Sequence, residues 1–148
     1  MQTEYSQIAA YEGTEIADAA KRVLTDPELL SWLKRTAGIR IPRFVASMIC
    51  GLLRLSPNPR LTIDKLLVMP FLKKIETQST GGVTLYKEAP TEGSHFYITN
   101  HRDIILDAAF LSILLWKDSR NRPYLGVGNN LFGKPWIEDL MRICRCFA

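Results

Sequence analysis

The sequence predicts an α/β protein: a helical N-terminal segment over residues 1–76, then a partial, mostly parallel sheet with flanking helices over residues 77–148. Three observations carry this. Apolar residues recur at helical spacing through the first half. The composition changes at Thr77 to short β-prone runs between Gly- and Pro-containing turns, and those runs then alternate with helical stretches. Strand–helix–strand alternation signals a parallel sheet, because parallel neighbours need a long crossover between them.

The elements follow in order. Thr14 stands where an N-cap belongs, ahead of a helix reaching about Leu24. Thr25-Asp26-Pro27 gives a second start, a capping side chain followed by proline in the first turn, and this helix should end near Gly38. After Pro42, Phe44, Met48 and Leu52 recur every four residues beside Val45, Ile49 and Leu53, forming one broad apolar face flanked by Arg43 and Arg54. Ser56-Pro57-Asn58-Pro59 breaks that helix. Thr62 is placed to cap another, from Ile63 to about Ile75, kinked at Pro70. Beyond the turn at 78–82, residues 83–86 and 95–99 read as strands, 104–117 as a buried helix, 123–127 as a short strand, 136–142 as a helix and 143–147 as a final strand.

Composition limits the function. A chain of 148 residues, 47% of them apolar, is long enough to bury a real core. Its three cysteines, Cys50, Cys144 and Cys146, form an odd, unevenly spaced set with only two histidines beside them, which fits a reducing compartment and no metal site. The first residues are acidic and polar, unlike a signal peptide, and no run approaches the roughly 18–20 apolar residues that span a bilayer. The expectation is an intracellular protein that is not transmembrane. Charge is distributed unevenly: residues 1–33 carry two basic and six acidic side chains, residues 34–74 nine and one, residues 75–148 eight of each. Nucleic acid is not the expected partner of the basic stretch, which has a single aromatic residue before Phe71 and no reader motif.

The chemistry-bearing cluster is Asn100-His101-Arg102-Asp103, with Asp107 following. Asp103 sits where an N-cap belongs. Asp107 lies one turn into a helix otherwise made of Ile, Leu, Ala and Phe, where an unpaired buried carboxylate costs several kcal/mol at least, so it needs a partner. Arg102 would make that a structural salt bridge. His101 would make it a catalytic pair, the carboxylate fixing the imidazole tautomer and raising its basicity. His101-Arg102-Asp103 also spells the kinase catalytic-loop triplet, but the Asn that kinases need five residues later is Ala108, and no Gly-rich loop or Asp-Phe-Gly is present. A Ser hydrolase is excluded by the lack of a G-x-S-x-G elbow.

On these residues the stretch resembles the glycerolipid acyltransferases, typified by 1-acylglycerol-3-phosphate acyltransferase. Their first motif is Asn-His, four residues and Asp, at a strand end and helix start. Asn100-His101 with Asp107 resembles it with five intervening residues, the form of a divergent branch; on an ideal helix the extra residue turns Asp107 by about 100°. Gly82-Val83-Thr84-Leu85 and Phe96-Tyr97-Ile98-Thr99 resemble the two preceding strands, and residues 126–136 the run toward the second motif, so the resemblance covers roughly residues 77–148.

It implies the front half of such a domain, ending before the family's second-motif arginine and its Glu-Gly-Thr-type phosphate turn. It also implies acyl transfer in phospholipid biosynthesis, from an acyl thioester (acyl-CoA or acyl-carrier protein) to a hydroxyl or amine of a lipid precursor, with no cofactor. His101 is then the general base, paired with Asp107 or Asp103. Asn100, Arg102 and Asp103 support it, and Lys134 contacts substrate phosphate. The membrane surface becomes a partner, met by Phe44, Met48, Ile49, Leu52, Arg43 and Arg54, with the protein peripheral on the cytoplasmic face. The reading from a different class is a non-catalytic membrane-surface or lipid-binding module, or an inactive fragment of such an enzyme.

Overall fold

The computed structural model describes residues 8–38, 40–86, 93–99, 103, 106–119 and 121–148. They form seven α-helices and one parallel strand pair: α1 (Glu15–Thr25), α2 (Pro27–Ala37), α3 (Arg43–Leu55), α4 (Pro59–Ile63), α5 (Met69–Ser79), α6 (Leu106–Ser119), β1 (Leu125–Gly126), α7 (Pro135–Ile143) and β2 (Cys146–Phe147). The chain divides into two compact units, Met1–Lys65 with Tyr124–Ala148, and Leu66–Pro123. The composition change at residue 77 falls inside the second of these.

In the first unit, α1 packs against both α3 and α7. It can do so because the face it buries is small: Ile16, Ala17, Ala19, Ala20 and Val23 join Leu29, Leu53, Ile63 and Ile143 in one apolar cluster. Full burial of a side chain such as Leu53 is worth about 1.5–3 kcal/mol. The start of α2 is as expected: the Asp26 carboxylate accepts the N–H groups of Glu28 and Leu29, both at 2.9 Å, with Pro27 at the first helical position. Gly38 ends the helix at φ +65°, the left-handed conformation that costs glycine nothing.

Two helix starts differ from expectation. Thr14 makes no side-chain cap; instead the Glu15 carboxylate accepts the Glu12 N–H at 3.1 Å. The helix expected from Ile63 starts four residues earlier, at Pro59, because Asn58 is the better cap and its side chain accepts the Leu61 N–H at 2.9 Å. The irregularity expected at Pro70 takes the form of a π-helical turn over Asp64–Val68, just before the proline that lacks a backbone donor.

The sheet is parallel, as the alternation of elements predicts, with Leu125 opposite Cys146 and Gly126 opposite Phe147. The Leu125 N–H donates to the Arg145 carbonyl and the Val127 N–H to the Phe147 carbonyl, each at 2.9 Å. It is smaller than expected. Residues 83–86 and 94–99 form no ladder among the described residues, and Tyr86, Phe96 and Ile98 are almost fully exposed. Alternating side chains give such segments a strand's pattern, but the pattern is stable as a strand only where a neighbour takes its backbone groups.

Entry into β2 is held by a buried ion pair. Arg145 has φ +69°, rare for a residue with a side chain, and its guanidinium donates at 2.7 Å to the fully buried Asp64 carboxylate. A second polar cluster joins α1 to α7: Arg22 Nε and Nη2 grip Asp139 at 2.7 and 2.6 Å, and the Tyr11 hydroxyl donates to it at 2.7 Å. Burial pushes the Asp139 carboxyl up, but these hydrogen bonds and the Arg22 and Arg142 charges outweigh it and hold it below the usual carboxylate range. Its stabilising contribution is therefore complete above the unfolded value of about 3.9 and is lost as pH falls through the lower folded value. Asp139→Asn should cost about 1.5–3 kcal/mol at neutral pH. Urea denaturation at neutral and acidic pH checks it: the gap between the two proteins should shrink on acidification.

Candidate functional site

The described part of the motif is the first turn of α6. The Asp103 carboxylate accepts the Leu106 N–H at 2.7 Å, so Asp103 caps the helix as its position predicts. The Asp103 N–H in turn donates to Asp107 Oδ2 at 2.9 Å. Each aspartate side chain thus serves a backbone donor at the helix start, Asp103 that of Leu106 and Asp107 that of Asp103, an arrangement related to a capping box with one extra residue. Both carboxylates sit at the positive end of the helix dipole.

This changes the standing of Asp107. Its apolar neighbours in sequence suggested a buried carboxylate in need of a partner, whereas it is only half-buried and accepts a backbone N–H. A carboxylate has about four acceptor positions, of which this bond uses one. Asn100, His101 and Arg102 lie outside the described residues, as do Ile104 and Ile105.

Behind the capped turn, α6 buries Ala109, Ser112, Ile113, Leu115 and Trp116. Its last turn is tied to α5, where Lys117 Nζ donates to Glu76 Oε1 at 2.6 Å and the same oxygen accepts the Val83 N–H at 3.3 Å. The Lys117 hydrogen bond holds the Glu76 carboxyl below its usual range. Sequence reasoning missed this tie because nothing local links position 76 to position 117.

Lys134, expected to meet phosphate, is ion-paired to Glu28 of α2, and the Trp136 indole donates to the same carboxylate at 3.3 Å. Those two donors hold the Glu28 carboxyl below its usual range. The long-range partner gave no sequence signal.

The apolar face of α3 divides in two. Ala46, Cys50 and Leu53 are buried and Ile49 packs against the core, while Phe44 is 70% exposed, Met48 56%, Leu52 48% and Leu55 87%. The outward set, at every fourth residue from Phe44 to Leu52, is a contiguous apolar ridge. Exposed Arg43 stands beside it, and Arg54 is paired with Asp18 of α1 at 2.6 Å. Among the described residues, no helix is long and apolar enough to cross a membrane.

The capping role can be separated from the charge. Asp103→Ala should destabilise the protein by about 1 kcal/mol. Asp107→Asn, which keeps an acceptor for the Asp103 N–H, should cost under about 0.5 kcal/mol. Urea denaturation of the two variants measures the difference.

Residues 82–148 match the family model described as Acyltransferase. Comparison with curated proteins finds no match, and comparison with solved structures finds none. The matched span takes in the Asn100-His101 pair, Asp103 and Asp107 at the start of α6, and the whole β1–α7–β2 unit. Over residues 82–148, the chain is therefore similar to the Acyltransferase family.

Proposed function

We propose that the protein transfers a fatty acyl group from an acyl thioester, on coenzyme A or an acyl-carrier protein, to a hydroxyl or amine of a lysophospholipid-like lipid precursor. The observation that carries this reading is the capped first turn of α6. In sequence Asp107 follows His101 by six residues inside the span that matches the Acyltransferase model, and its carboxylate accepts the Asp103 N–H. In the proposed reaction, His101 takes the proton of the acceptor hydroxyl as its oxygen attacks the thioester carbonyl. The tetrahedral intermediate expels the thiolate, which receives that proton from the imidazolium, leaving an ester and a free thiol. Asp107 holds the imidazole in the required tautomer, with Asp103 as the neighbouring carboxylate and Asn100 and Arg102 in support. Lys134 contacts substrate phosphate by exchanging Glu28 for it. No resident cofactor enters this scheme.

The ridge on α3 supports placing the protein on the cytoplasmic face of a membrane. Phe44, Met48 and Leu52 would enter the interface, with Arg43 and the basic stretch around it drawn to anionic lipid. Ile49 packs against the core, so it backs the ridge rather than entering the lipid. The same ridge favours a second reading, a lipid-surface module without catalysis.

One experiment separates them: thioester release with an acyl-CoA donor and a lysophospholipid acceptor on anionic vesicles. Turnover that falls about 10²–10⁴-fold in His101→Ala and sharply in Asp107→Asn, with vesicle binding retained, is the expected result. Binding without turnover in the unaltered protein would select the second reading. Unchanged turnover in His101→Ala would remove the proposed base.

A further inference from the structure

We propose that residues 8–12 form a strap that holds the β1–α7–β2 unit together, so that this part of the acyltransferase-family span depends on residues lying outside it. The unit needs outside support on general grounds. Its sheet has two residue pairs, and isolated two-stranded sheets are marginal in water. Its helix has nine residues, fewer than the roughly 12–15 at which isolated helices begin to persist.

The five strap residues bond to α7 and to the residues that flank β1 and β2. On β1, the hydroxyl of Tyr124, next to the strand, donates to Glu12 Oε1 at 2.5 Å. On α7, the Tyr11 hydroxyl donates to Asp139 at 2.7 Å, Arg142 Nε donates to the Ala9 carbonyl at 2.7 Å, and the Tyr11 N–H donates to the Arg142 carbonyl at 3.3 Å. The Arg142 guanidinium also lies 4.2 Å from the Tyr11 ring centroid, within cation–π range. Beyond β2, the Ala148 N–H donates to the Ile8 carbonyl at 3.1 Å. The strap is itself anchored from α4, where Arg60 donates to the Tyr11 carbonyl and pairs with Glu12 at 3.1 Å.

α1 also packs on α7, so the strap must be tested with α1 intact. Tyr11→Phe removes the bond to Asp139 and keeps the ring beneath Arg142; Glu12→Gln weakens the anchors to Tyr124 and Arg60. Residue-resolved amide exchange on the full chain, for each variant and for the double variant, reads the outcome. The Leu125, Val127 and Ala148 amides should lose protection by at least about tenfold in the double variant, while amides within α3 and α6 stay within about twofold. Equal loss at all sites would make these bonds ordinary contributors to global stability and overturn the proposal, as would unchanged exchange at Leu125 and Val127. If the double variant does not fold, the single variants decide by the same comparison.

Discussion

Small side chains on α1 are the constraint on which the first compact unit rests. A helix that buried leucines along this face would hold its neighbours apart; three alanines let α3 and α7 approach closely and share one apolar cluster with Ile16 and Val23. That closeness also brings Arg22 within reach of Asp139, so the ion pair and the apolar packing each depend on the same spacing. Enlarging Ala17 or Ala19, both fully buried, would disturb both at once.

The first turn of α6 answers a structural need with one pair of side chains, and the proposed chemistry draws on the same pair. The Asp103 N–H holds the Asp107 carboxylate, and an ordered carboxylate is what the proposed orienting of an imidazole would require. The stretch differs from the glycerolipid acyltransferases it resembles by one extra residue between His101 and Asp107. Within that interval Asp103 accepts the Leu106 N–H and donates its own N–H to Asp107.

What the sequence made legible was local. Asp26-Pro27 and Gly38 bracket α2 because capping and left-handed termination are written in single residues, and Asp103 is read as a cap for the same reason. The parallel pairing of β1 with β2 was legible from the order of elements. Asn58 was missed as a cap because Thr62, a plausible substitute four residues on, sits ahead of the more apolar run. The division of α3 into two faces was not legible: Val45, Ile49 and Leu53 are as apolar as Phe44, Met48 and Leu52, and only the placement of α1 decides which row turns inward. The partners of Lys134, Asp139 and Glu76 lie dozens of positions away and leave no periodic trace.

Arg145 carries a further consequence for which sequences this fold accepts. Its backbone, at φ +69°, asks for glycine, while the buried carboxylate of Asp64 asks for a long cationic side chain. No residue satisfies both demands. Glycine would relax the turn into β2 and withdraw the guanidinium from Asp64; lysine would keep a charge but lose the planar fork. The position is a compromise in which backbone strain of about 1–3 kcal/mol is tolerated for an interaction made 81 residues away in the chain. Sequence variation at 145 should therefore follow variation at 64, and the two positions are best treated as a single site of two residues.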